Sequence, residues 1–259
     1  MRLAPHSGAR RCHRLRDRSR RGRGGRGRGS RRRVGAALST PAGAVGALVL
    51  VGGRARRFDG AVKPLLELGG STPWQRTLAA LGEREVAPVV AVGTAWDTDE
   101  AAPTAGAVSV PMIWVREDPP YGGPVAAIAA GLPLLAEAEW TLLLAGDLVH
   151  PADVVRTLCD AVRADVGENA VDDAPDPVDA IVLRADDRAQ WLAGAYRVAA
   201  VRAALAAIAE PSGAAARELL GGLPTRWIAD EDGITADIDT PAAFPEPLWS
   251  RDPRTRRTT

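Results

Sequence analysis

The feature that most limits what this chain can fold into is a short apolar run that stops on glycine. Val45–Val51 (VGALVLV) is continuously apolar instead of alternating, and Gly52-Gly53 ends it. Such a run marks a strand covered on both faces. The device returns in Ala87–Gly93 (APVVAVG) and in Trp140–Ala145 (WTLLLA), which runs into Gly146-Asp147. Met112–Val115 reads as a shorter strand between them. Helix-forming stretches separate these runs: Pro73–Leu81, a small-residue segment opened by Gly122-Gly123-Pro124, and a helix from His150-Pro151 to about Val162, with proline suited to its first turn. Residues 165–179 are acidic and contain prolines, which predicts an exposed loop. Ala180–Leu183, Gln190–Ala195 and Thr225–Ile228 are further strand candidates, and Val198–Ile208 and Ala214–Leu220 further helices. Strands alternating with helices of about ten residues predict a single α/β domain over residues 44–245, with a mostly parallel sheet and helices on both faces.

Composition bears on the rest of the chain. Residues 1–33 hold fourteen arginines against one acid, although the whole chain has a formal net charge of only +1. The folded part is therefore acidic, a poor surface for nucleic acid. Residues 1–43 have no hydrophobic periodicity and are expected to be a disordered Arg-rich extension. An RNA-binding or membrane-binding arm is the functional alternative there, and an extension dispensable for activity the simpler one. Residues 246–259 read as a flexible tail. No apolar run is long enough for a membrane span. Two cysteines, Cys12 and Cys159, form no zinc or disulfide pattern, so a cytoplasmic setting is expected.

In an open parallel sheet, ligands sit beyond the carboxyl ends of the strands. That rule selects the loop after Val51, the segment before Gly122, and Asp147. Gly52-Gly53 permits close approach of a ligand to the backbone, and turn N–H groups can cradle phosphate oxygens. Arg54, Arg56, Arg57 and Lys63 place cations within reach of a polyphosphate. Neither a Walker A loop nor a G-x-G-x-x-G fingerprint is present. Lys63 is the only lysine among 33 basic residues, and a compact ammonium differs from a guanidinium in what it can do. A tight structural turn with solvated arginines is the plain alternative for this loop.

The stretch LVGGRARRFDGAVKPLLELGGSTPWQ, Leu50 to Gln75, resembles the nucleotide-binding signature of the molybdenum cofactor guanylyltransferase family. REDPPYGGPVAAIAAGL (Arg116–Leu132) is similar to that family's Gly-Pro-Leu-Ala-Gly helix start and the acid before it. LLLAGDLVHP (Leu142–Pro151) is similar to its strand-end Gly-Asp motif, and WLAGAYR and ADIDTP resemble later segments more loosely. The resemblance spans residues 45–245 and implies a Rossmann-like α/β domain. It implies an Mg²⁺-dependent nucleotidyltransferase that moves GMP from GTP onto molybdopterin, working as a monomer or weak oligomer without nucleic acid or membrane. Leu50, Val51, Gly52 and Gly53 would then hold the nucleotide through the backbone, with Lys63 and Arg57 on its phosphates. Gly93 would lie at the nucleotide, Asp118 on its guanine side, and Asp147 on both nucleotide and metal. Asp237 and Asp239 either lead into a helix capped by Thr240 or, at Asp239, supply a second metal or acceptor contact. Val62 stands where the family has Asp, and Asp59 where it has Gly.

Those roles agree with the chemistry. In-line attack on an α-phosphorus builds charge on departing pyrophosphate, which a lysine and a metal ion can stabilise. Mg²⁺ takes one or two carboxylates and keeps several waters. Two other readings remain: a cytidylyltransferase or related enzyme with a different acceptor, and a nucleotide-binding relative that lost activity at Val62.

Overall fold

A computed structural model describes residues 44–52, 62–96, 111–168 and 178–238. All described elements fall within one compact unit. The Arg-rich extension and the tail beyond residue 245 lie outside the described residues.

The apolar runs become strands. β1 (Val45–Leu50), β2 (Val89–Val92), β3 (Met112–Val115), β4 (Trp140–Ala145), β5 (Ala180–Ala185), β6 (Arg188–Arg197) and β7 (Thr225–Ala229) form one sheet in the order β3-β2-β1-β4-β6-β5-β7. β1 pairs in parallel with both β2 and β4, and β2 with β3. The sheet is thus mostly parallel, as expected. The exception is β6, antiparallel to both β4 and β5. It arises because Asp186 and Asp187, both at positive φ (46° and 59°), make a tight two-residue turn instead of a helical crossover.

Helices cover both faces. α1 (Pro73–Glu83) and α3 (Pro151–Glu168) lie on one side, α2 (Pro124–Gly131), α4 (Val198–Ala206) and α5 (Ala216–Leu220) on the other. α1 starts where its caps dictate. Thr72 Oγ1 accepts from Gln75 N and Gln75 Oε1 accepts from Thr72 N, both at 3.1 Å, with Pro73 in the first turn. Gln75, part of the family signature, is therefore a capping residue. The first core joins Trp74, Leu78 and Leu81 of α1 with Val154, Val155 and Leu158 of α3 against Ala47, Val49, Leu142 and Leu144. The second joins Val125, Ile128 and Val201 against Leu48, Val90 and Val182. Successive β1 residues feed opposite cores, which is why its run is apolar throughout. α2 packs close: a Cβ on Gly131 would overlap Leu48 Cδ1.

One boundary needs correction. α3 runs through Glu168, where the acidic composition predicts a loop from residue 165. Asp165 is 3% exposed and held by Arg197 Nη2 at 3.1 Å and Arg226 Nη2 at 2.7 Å. Those partners come from β6 and β7, so local composition carries no trace of them. Among the described residues, no helix is long and apolar enough to cross a membrane.

Candidate active site

Strand register lines up the carboxyl edge. Leu50 pairs with Val92 and with Ala145, and Val92 pairs with Val115. Two residues past that row come Glu117 after β3, Thr94 after β2, Gly52 after β1 and Asp147 after β4. Four neighbouring strands at about 4.8 Å spacing make this edge about 14 Å long.

The β4 end holds the charge pair. Lys63 begins a short 3-10 turn (Lys63–Leu65) whose second residue is the buried Pro64. Its Nζ lies 3.7 Å from Asp147 Oδ2. The lysine and the carboxylate, 84 residues apart in sequence, thus meet at the end of β1 and β4. Arg76 braces this arrangement. Its Nε donates to Ser71 Oγ at 2.8 Å, Nη1 to the Val149 carbonyl at 3.3 Å, and Nη2 to the Leu68 carbonyl. One α1 side chain therefore ties the segment following Lys63 to the segment following Asp147.

The strand-end turn of β4 has a second neighbour. Val149 N donates to the Ala236 carbonyl and Ile238 N to the Asp147 carbonyl, with a bridge between Leu148 and Asp237. Asp237 and Ile238 are thereby laid against the turn that carries Asp147. Asp239 itself, like Gly53 and Arg57, lies outside the described residues. The donor set at this end is oxygen-only, Asp147 with Asp237 nearby, which fits a hard divalent ion sharing its shell with phosphates and water. Among the described residues, no group of three His, Cys, Asp or Glu forms a closed metal cage.

The middle of the edge is backbone. Leu50 and Val51 are locked between neighbours: Val51 N donates to the Val92 carbonyl at 3.0 Å, and Gly146 N to the Leu50 carbonyl at 2.9 Å. Gly52 and Gly93 touch. Gly93 has φ 146°, and a Cβ on it would stand 2.8 Å from Gly52 N. Both conformation and space require glycine there.

The β3 end separates two adjacent acids. Asp118 is exposed at the rim, whereas Glu117 is 8% exposed and turned inward. Glu117 Oε1 accepts from Tyr121 N at 3.0 Å and lies 3.9 Å from where a Gly52 Cβ would stand. Glu117 and Arg76 are the two site residues that sequence reasoning passes over. Strand alternation gives no signal for the first, since Ile113, of the same parity, is exposed and Trp114, of the other, is half-buried. An open cavity of about 470 Å³ flanks the Lys63 segment between Val62 and Leu65 on one side and Thr72 and Gln75 on the other. It is lined by neither Asp147 nor Glu117. Trp74 and Trp140 are fully buried in the core, where Trp74 meets the rings of Trp96 and Trp114.

A switch-point edge with glycines in the middle, an ammonium–carboxylate pair at one end and a buried acid at the other suits a nucleotide with its phosphates over β1 and β4. No curated protein matches the chain. Among solved structures, Rv0371c from Mycobacterium tuberculosis H37Rv is similar at 21% identity and a TM-score of 0.53, over 77% of this chain and 94% of its own. Its homolog from Mycobacterium sp. strain JC1 is similar at 20% identity and a TM-score of 0.54, over 78% and 93%. Molybdopterin-guanine dinucleotide biosynthesis protein A from Archaeoglobus fulgidus gives 21% identity and a TM-score of 0.43, over 76% and 93%. At such identities the first two show a shared fold. A family model does more: that of the MobA-like NTP transferase domain matches residues 47–227, well over half the chain. The protein belongs to this nucleotidyltransferase family.

Proposed function

We propose that the protein transfers GMP from GTP to molybdopterin, releasing pyrophosphate. The observation that supports this most is the Lys63–Asp147 pair at the carboxyl ends of β1 and β4, in a chain of the MobA-like NTP transferase family. Leu50, Val51 and Gly52 present backbone to the nucleotide, and Gly93 keeps that approach open. A phosphate oxygen of the acceptor attacks the α-phosphorus, and the bond from that phosphorus to the bridging oxygen of pyrophosphate breaks. The electron pair leaves with pyrophosphate, and no protein nucleophile is needed. Lys63 neutralises charge that grows on the departing oxygens. Asp147, with Asp239 as a second ligand, would hold Mg²⁺, which supplies Lewis-acid neutralisation of phosphate charge. Arg57 adds a cation on the phosphate side.

Product analysis tests the reading. Purified protein with Mg²⁺ and molybdopterin should convert GTP, and not CTP, to a dinucleotide with stoichiometric pyrophosphate. Preferential use of CTP would make it a cytidylyltransferase. GTP binding with no pyrophosphate release would favour a relative disabled at Val62, which is 37% exposed where the family carries an acid.

A further inference from the structure

We propose that Arg76 is a positioning residue for the transfer reaction: its guanidinium holds Lys63 and Asp147 at the spacing that nucleotidyl transfer needs. The inference rests on the roles given to that pair above and adds the side chain that sets their geometry.

Arg76 is half-buried on α1 and donates to three acceptors on two segments. Two of them belong to one tight turn. Leu68-Gly69-Gly70-Ser71 reverses the chain, with both glycines at positive φ (61° and 89°) and Leu68 N donating to the Ser71 carbonyl at 2.9 Å. Nη2 donates to the Leu68 carbonyl and Nε to Ser71 Oγ at 2.8 Å, so the guanidinium grips both ends of that turn. Nη1 donates at 3.3 Å to the carbonyl of Val149, two residues after Asp147. Leu68 and Val149, whose carbonyls it holds, also pack with Ile238 in a small apolar cluster apart from the two cores.

This fork outweighs the pair it serves. Lys63 and Asp147 meet at 3.7 Å with both side chains partly exposed, and ion pairs that water reaches hold little. Hydrogen bonds from a charged donor to carbonyls are stronger and fix direction as well as distance. Lys63 therefore takes its place from its own 3-10 turn on one side and the gripped turn on the other, rather than from Asp147. The bonds of Arg76 go to carbonyls and a hydroxyl of the chain itself, so its influence on reacting atoms passes through the two segments it ties. Acceptors spread in this way suit a planar fork, and the compact ammonium of a lysine cannot reach them together. A shift of about 1 Å in a catalytic group can cost about a hundredfold in rate, so loss of the fork is read in turnover.

The experiment compares Arg76→Lys with the unchanged residue, in the full-length wild-type protein and in a Lys63→Ala background, by pyrophosphate release with Mg²⁺ and molybdopterin. GTP and CTP are both assayed, and the nucleotide that wild type turns over is used throughout, so base preference is read separately from this assignment. Arg76→Lys should lower kcat by about tenfold to a hundredfold while KM for the nucleotide moves by less than about threefold. The loss should be at least about threefold smaller in the Lys63→Ala background, because part of what Arg76 positions is then gone. Ser71→Ala removes the Nε acceptor and leaves both carbonyl bonds, and should give a smaller fall in kcat of the same kind. Ser71→Ala in the same two backgrounds carries the test if Arg76→Lys does not fold. A residue that only supports the fold would lower Tm and leave kcat per folded molecule at the wild-type value, which overturns the assignment. A raised KM at unchanged kcat overturns it too, as does an equal fractional loss in both backgrounds. Wild-type protein that releases no pyrophosphate from either nucleotide overturns the transfer reading, and this assignment with it.

Discussion

Replacing Lys63 by alanine separates a catalytic from a structural role for the loop after β1. In the free protein Nζ stands 3.7 Å from Asp147 Oδ2, and the two side chains keep 21% and 23% of their exposure. Ion pairs that water still reaches contribute about 0–1 kcal/mol, so losing this one costs at most about 1 kcal/mol of stability. In a domain of this size that moves Tm by about 2–4 °C. The effect on rate is expected to be much larger. Deleting one group that stabilises developing charge typically lowers kcat by about 10² to 10³. Lys63→Ala should therefore melt within a few degrees of wild type while pyrophosphate release from GTP falls by two to three orders of magnitude. Lys63→Arg should recover only part of the loss, because a planar guanidinium cannot occupy the compact ammonium's place. Paired melting curves and a coupled pyrophosphate assay read both quantities. Near-wild-type turnover in Lys63→Ala would refute the reasoning. So would a loss of activity that simply follows a drop in Tm of about 10 °C or more.

Two further expectations concern the scaffold. Asp165→Ala strips the carboxylate that Arg197 and Arg226 share. Because the arginines keep 22% and 29% exposure, the cost should sit near the low end for a broken buried pair, about 3 kcal/mol. A urea midpoint shift equivalent to under about 1 kcal/mol at constant slope would argue against that network. Burial pushes the Cys159 thiol from 9.0 up to about 11. The unfolded chain then releases this proton first, so the contribution is intact below about pH 9 and is lost as pH rises from there towards 11. Stability measured across that window should fall more steeply in wild type than in Cys159→Ala, and equal slopes would count against it.

The apolar runs made β1, β2 and β4 legible because strands buried on both faces need no partner information to be recognised. The capped start of α1 was equally local. Pairing across distance was not. Asp165 looks like a loop acid until Arg197 and Arg226 arrive from later strands, and β6 reverses direction because of two aspartates that composition marks only as polar. At the site, the meeting of Lys63 with Asp147 follows from strand order together with a family signature. The choice between Glu117 and Asp118 depends on which way one residue faces at the end of a four-residue strand. Alternation along β3 does not settle it, because Ile113, of the same parity as Glu117, is 40% exposed.

The direction of β1 has a practical consequence. The described chain enters the sheet at Ala44 and leaves β1 at Leu50, directly before Gly52. Six residues at about 3.3 Å each put the start of β1 about 20 Å from its carboxyl end. Ala44 therefore stands at the rim of the sheet opposite the glycine edge. A support attached directly at Ala44 would leave the glycine edge facing the bulk solution, a useful orientation for a surface-bound sensor or a capture resin.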